Sequence, residues 1–177
     1  ITLFNSGANQ QIGGSSESKF YNLTVNKTAG IILSNGNVLI ENNLRLLSNS
    51  LFNIADDTLT IGITGDIFSD NALAKNFSNV KSIYTSQGVN SGFLRKNIAT
   101  NATLPYNFRF PLSTNGTPSD VYTYADITFI LGKVTFNSGA YVQVKPVTTE
   151  HPALQISNNA LKKYWTIEPV NIDISNQ

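Results

Sequence analysis

The chain offers little to conventional side-chain chemistry: one histidine, no cysteine, and 11 aspartates and glutamates in 177 residues. His151 has no second imidazole with which to build a metal triad, and neither a Glu-x-x-His nor a His-x-Glu spacing surrounds it. Glu150 is adjacent, but neighbours in an extended chain point to opposite faces. His151 precedes Pro152, so a turn or loop-packing role is expected. Without cysteine there are no disulfides, thiolate metal sites or thiol nucleophiles. Asp56, Asp57, Asp66 and Asp70 cluster in sequence, and Ca²⁺ takes about six to eight such oxygens. No Asp-x-Asp-x-Asp-Gly pattern is present, however, and aspartates also cap turns. A glycosidase needs two carboxyl groups roughly 5–10 Å apart. Most acids here fall in turn-like contexts, though a pair brought together by folding stays open. No catalytic, cofactor-binding or metal-ligating residue is assigned. Ca²⁺ at the four aspartates is the one cofactor reading left open.

The aromatic residues are more suggestive. Tyr122, Tyr124 and Tyr141 fall on one alternating parity of two expected strands and should share an outward face. Exposed tyrosines stack on sugar rings or line protein interfaces; cross-strand tyrosine pairing is the competing role. Trp165 shares a parity with Ile167 and is expected in the core, together with Phe20, Leu23, Val25, Ile40, Leu46, Phe129 and Val144. Asn22, Asn26, Asn76, Asn101 and Asn115 each begin an Asn-x-Ser/Thr triplet. Asp57-Thr58-Leu59 has the form of a short O-glycosylation signal at Thr58. In a chain this rich in Asn and Thr, such triplets also arise by chance.

The elements that must position these residues read as strands. Asn, Ser and Thr make up roughly a third of the chain, while the charged fraction of 13% is about half the usual share. With net charge +1 and no basic stripe, a nucleic-acid partner has no electrostatic footprint. No stretch approaches the ~20 apolar residues of a membrane-spanning helix. Helical periodicity is confined to Asp70–Phe77 and Asn158–Lys163. Elsewhere, β-branched and aromatic runs are bounded by Asn, Gly, Ser and Asp, which predicts an all-β fold. Through about residue 70 the runs recur every ~6–8 residues, too short for hairpins and suited to coils of three short strands stacked as a parallel β-helix. Asn fits the corners, where it tolerates left-handed angles and can ladder between coils. Beyond residue 104, longer alternating strands such as Tyr122–Leu131, Gly139–Val147 and Tyr164–Val170 suit an antiparallel sandwich.

The stretch from Ser6 to Leu46 resembles repeated modules of large secreted and surface proteins of Bacteroidota. The residues that carry the resemblance are Gln10, Ile12 and Gly14, then Phe20-Tyr21-Asn22-Leu23-Thr24-Val25-Asn26-Lys27. A second stretch, with Phe110, Pro111, His151, Pro152, Tyr164 and Trp165, resembles the module that often follows. Lys163 departs from the arginine expected there, and the loop Ser113–Ser119 is longer. The resemblance implies export, by the type IX route, and display at the bacterial cell surface.

These readings together predict an all-β fold in two regions. Residues 1–103 would form a β-helix-like region with an irregular cap from about residue 68. Residues 104–177 would form a β-sandwich-like region, joined near Asn101–Tyr106 without a flexible linker. The expected role is a non-enzymatic stalk, filament or adhesin segment. Its partners would be neighbouring modules of the same protein and surface glycans or proteins, with no nucleic acid and no membrane insertion. A carbohydrate-active enzyme or carbohydrate-binding accessory module is the alternative.

Overall fold

A computed structural model describes residues 1–4, 10–85, 91–114, 122–151, 153 and 163–175. They form fifteen strands and, among the described residues, no helix. In chain order these are β1 (Thr2–Phe4), β2 (Gln10–Gly13), β3 (Ser18–Asn26), β4 (Ile31–Ser34), β5 (Val38–Leu47), β6 (Leu51–Ala55), β7 (Leu59–Ile61), β8 (Asp66–Phe68), β9 (Ser82–Thr85) and β10 (Leu94–Asn97). β11 (Tyr106–Phe110), β12 (Leu112–Ser113), β13 (Ala125–Phe129), β14 (Val134–Val147) and β15 (Tyr164–Ile174) follow.

As far as β10 the chain alternates between two sheets. One runs β1-β3-β5-β7-β10-β14-β15, with β8 also paired to β5; the other runs β12-β9-β6-β4-β2. Every pair up to β10 in the first sheet, and every pair in the second, is parallel. The offset between partners is nearly constant over the first part: Gln10 lies opposite Ile31, Ile31 opposite Phe52, Val38 opposite Leu59. In these pairs an apolar run lies beside the run 21 residues earlier. Alternation sends Leu23, Val25, Ile31, Leu33, Val38, Ile40, Leu44, Leu46, Phe52 and Ile54 into one continuous core.

β5 is bent. Val38–Ile40 pair with β7 and Asn43–Arg45 pair with β8, and the β3–β5 register shifts between Phe20 and Asn22. At this register shift Asn22 Oδ1 accepts from Asn42 Nδ2 at 3.0 Å and from the Asn43 amide at 3.1 Å, linking β3 to β5. Close backbone contact also dictates glycine. A β-carbon on Gly92 would lie 1.9 Å from the Asp57 carbonyl oxygen, and one on Gly65 2.3 Å from that of Asn42.

Of the C-terminal strands, β12 continues the second sheet in parallel with β9, and the others pair antiparallel. β14 pairs with β10, and β15 pairs with β14 along Val134–Val147 with a register shift between Phe136 and Tyr141. β11 and β13 form a two-stranded sheet. Its Phe108, Phe110 and Phe129 join the main core, with Phe129 packed edge-on against Phe136 at 5.2 Å between centroids. β15 is an edge strand of the first sheet among the described strands, and Pro169 sits within it opposite Val142.

One expected helix and one expected core residue fail. Asp70–Phe77 is not a helix, because side chains take the backbone groups a helix would use. Asp70 Oδ1 accepts from the Ala74 amide at 2.9 Å, and the Ser69 hydroxyl accepts from the Asn76 amide at 2.7 Å. Leu73 has φ 63°, in the left-handed region. Trp165 is not core but 41% exposed, and Ile167 is 50% exposed. The alternation of β15 was read correctly, but it is an edge strand, and at the edge the face continuous with Val144 has outrun its cover. Of the other expected core residues, Leu23, Val25, Ile40, Leu46, Phe129 and Val144 are buried, and Phe20 is half-buried. Most of the expected helix Asn158–Lys163 and most of the loop Ser113–Ser119 lie outside the described residues.

Candidate functional site

Trp165 finds its surroundings beside β13. Its indole Nε1–H donates to the Thr123 carbonyl at 3.0 Å. That bond ties β15 to the segment carrying Tyr122 and Tyr124, whose rings lie 5.4 Å apart and tilted by 31°. Tyr122, Thr123, Tyr124 and Trp165 line an open hollow of about 350 Å³. Tyr124 is 46% exposed, and the Arg109 guanidinium lies over its ring at 4.7 Å. Asp126 grips that guanidinium from two sides, at 2.8 Å to Nε and 2.7 Å to an outer nitrogen. The pair follows from register, since Arg109 of β11 lies opposite Asp126 of β13. Bonding to Asp126 raises the arginine further above its usual range, and the arginine holds the Asp126 carboxyl below the usual carboxylate range. Burial pushes the Tyr122 phenol above its ordinary value, so it remains protonated and a donor. The Tyr122 hydroxyl and the Thr123 hydroxyl are buried without a hydrogen-bond partner.

The expected aromatic face is thus reassembled with a different third member. Tyr122 and Tyr124 do come together. Tyr141 does not join them: it is half-buried on β14, where the Arg95 guanidinium covers its ring at 4.1 Å. Trp165, assigned to the core from its parity, takes the third place.

The remaining candidates are dispersed. His151 is exposed, packs edge-on against Tyr164 at 4.8 Å between centroids, and accepts from the Ala153 amide through Nδ1 at 3.2 Å. Asp66 pairs with Lys75 at 2.7 Å. Asp70 caps its own turn, while Asp56 and Asp57 lie on another turn after β6. The four do not converge, and among the described residues no group of three or more His, Cys, Asp or Glu is placed to hold a metal ion. Thr58 is half-buried, its amide bonded to Asn37 Oδ1 at 2.8 Å. Asn22 accepts a hydrogen bond from Asn42 and Asn26 one from Ser48, Asn76 and Asn101 are exposed, and Asn115 lies outside the described residues.

Sequence reasoning missed a buried cation. Lys96 Nζ donates to the carbonyls of Ile63 at 2.9 Å and Gly65 at 2.7 Å, and to that of Gly62. The Phe108 ring lies 5.3 Å from the ammonium. Burial pushes Lys96 down from its ordinary 10.5 to about 8, opposed by the nearby Asp66 charge. The signal was present: Lys96 shares its parity with Leu94 and Ile98, both core residues.

No protein-family model, curated protein or solved structure matches the chain.

Proposed function

We propose that this chain is a non-enzymatic structural and adhesive module of a larger secreted or cell-surface protein, serving as a segment of a stalk, filament or adhesin. On this reading the two parallel sheets are the faces of a β-helix-like stack. The antiparallel strands β10, β14 and β15 then continue one face, and residues 1–103 and 104–177 behave as one elongated unit. The observation that carries the reading is the recurrent 21-residue offset, by which Gln10, Ile31 and Phe52 stand in one file across three coils. Stacking of this kind gives stiffness and reach, because each coil buries its apolar run only against its neighbours. The resemblance of the Gln10–Lys27 segment to surface-protein modules supports the same reading, as does the low-charge polar composition.

Small-angle scattering on the purified chain tests it. A single elongated particle with one narrow distribution of maximum dimension is expected. A profile requiring a broad range of angles between two bodies would overturn the continuous unit. Release of reducing ends from a polysaccharide, lost on Asp66→Asn or Asp126→Asn, would overturn the non-enzymatic assignment. A carbohydrate-binding accessory module is the second reading, favoured by the hollow at Tyr122, Tyr124 and Trp165.

A further inference from the structure

We infer that the hollow formed by Tyr122, Thr123, Tyr124 and Trp165 is a binding site for an uncharged glycan, seated with a sugar-ring face against the exposed rings of Tyr124 and Trp165. The inference rests on the reading of the chain as a display module and names what it displays a site for.

Three observations carry it. The first is the form of the surface. Two aromatic side chains, 46% and 41% exposed, border one depression of about 350 Å³. That volume lies at the lower end of the ~300–1,000 Å³ usual for small-molecule sites. Rings of this kind bind ligands through their faces, and the C–H face of a pyranose is the matching partner.

The second observation is rigidity. The Trp165 indole is fixed by its bond to the Thr123 carbonyl, between the two tyrosines. Tyr124 is backed by Arg109, itself fixed by two bonds to Asp126. A platform ordered before binding loses little side-chain freedom when the ligand arrives.

The third observation is unspent hydrogen bonding. Among the described residues four buried side-chain polar atoms lack a partner, and two of them, the hydroxyls of Tyr122 and Thr123, belong to residues lining this hollow. Thr123 is only 8% exposed. A buried polar group without a partner is costly to leave so; both hydroxyls are covered in the unbound structure, so a ligand hydroxyl would satisfy one after a local side-chain shift. The charge of the site selects a neutral ligand. Among the described residues the lining consists of aromatic rings, hydroxyls and backbone, and the neighbouring Arg109 and Asp126 neutralise each other. Among those residues a polyanion would meet no cation in the lining, and a cation no carboxylate.

The experiment uses the intact chain, whose single tryptophan is Trp165 and therefore reports from the site. Soluble cello-, manno-, chito- and malto-oligosaccharides are titrated against Trp165 emission and in a calorimeter, with an oligogalacturonate as the acidic counterpart. Saturable binding of at least one neutral oligosaccharide is expected. By calorimetry, Tyr124→Ala and Trp165→Ala should each weaken it about tenfold or more. Thr123→Val should weaken it several-fold, and Tyr141→Ala should leave it unchanged. Far-UV circular dichroism and urea midpoints confirm folding. Should one aromatic variant fail to fold, the other and Thr123→Val carry the test. The inference is overturned if no neutral oligosaccharide binds, if binding survives both aromatic substitutions, or if only the oligogalacturonate binds. Concentration-dependent self-association abolished by Trp165→Ala would assign the surface to a second copy instead. None of these failures touches the scattering test of the stack, so the two readings fail separately.

Discussion

Lys96 holds three carbonyl oxygens of the turn at Gly62–Gly65 with one ammonium. Lys96→Met keeps the length and the contact with Phe108 but removes every donor. Each buried acceptor left without one costs about 1–3 kcal/mol, so a loss of at least ~2 kcal/mol in urea unfolding is expected for the variant. The lysine also makes stability depend on pH. Its proton leaves near pH 8 in the folded chain but near 10.5 in the unfolded chain. Between these values the unfolded state binds more protons, so this group's contribution to stability rises with pH. The difference in unfolding free energy between wild type and Lys96→Met should therefore widen from pH 8 toward 10.5; a flat difference would sink the assignment. Trp165 gives the opposite expectation. Being 41% exposed, it should cost less than the ~3–5 kcal/mol of a buried tryptophan when cut to Ala, whereas Leu44→Ala, fully buried, should cost about 2–5 kcal/mol. Equal losses in the two variants would contradict the placement of Trp165 at the surface.

At the scale of elements, close stacking makes certain glycines irreplaceable. A β-carbon at Gly92 would overlap the Asp57 carbonyl at 1.9 Å, so Gly92→Ala must displace backbone just before β10 or in the turn after β6. At Gly132 nothing lies within 4 Å of the added carbon. Gly132→Ala meets only the cost of a left-handed conformation at φ 76°, about 1 kcal/mol. Thermal unfolding should show a much larger drop for Gly92→Ala than for Gly132→Ala, and the reverse order would refute coil contact at residue 92. The all-β class was legible beforehand, because the short apolar runs and the long C-terminal strands follow from residue type and alternation. The helix at Asp70–Phe77 misled because Ser69 and Asp70 compete for its backbone, which periodicity does not register. Trp165 misled because parity tells which face a residue takes but not whether that face is covered. The aromatic hollow was half legible. Tyr122 and Tyr124 lie two residues apart, but their meeting with Trp165 depends on how far β14 and β15 extend past the cover.

For the whole molecule, the topology sets the order in which structure opens and forms. β7 lies between β5 and β10, whereas β1 and β15 bound one sheet and β2 and β12 the other. Amide hydrogen exchange should be slowest in β5, β7 and β10 and fastest in β1, β2 and β15. Uniform protection across the sheet would argue against stability graded by position in the strand order. Because successive parallel partners lie some twenty residues or more apart, as Gln10 and Ile31 do, loop closure precedes each gain in pairing. Folding in the millisecond-to-second range is expected in stopped-flow refolding.

Pro169 gives the free edge of β15 a consequence for the molecule's behaviour in concentrated solution. The outer side of an edge strand is a row of donors and acceptors on which a foreign strand can template, and Trp165 and Ile167 beside it would make such growth adhesive. Proline has no N–H, and within a paired strand it is tolerated with the missing donor on the open side. The row is therefore interrupted at mid-length, and an incoming strand cannot zip along it in register. Colloidal solubility, on this account, rests in part on a single imino acid: Pro169→Val should leave the fold intact yet raise the rate of thioflavin-positive fibre growth.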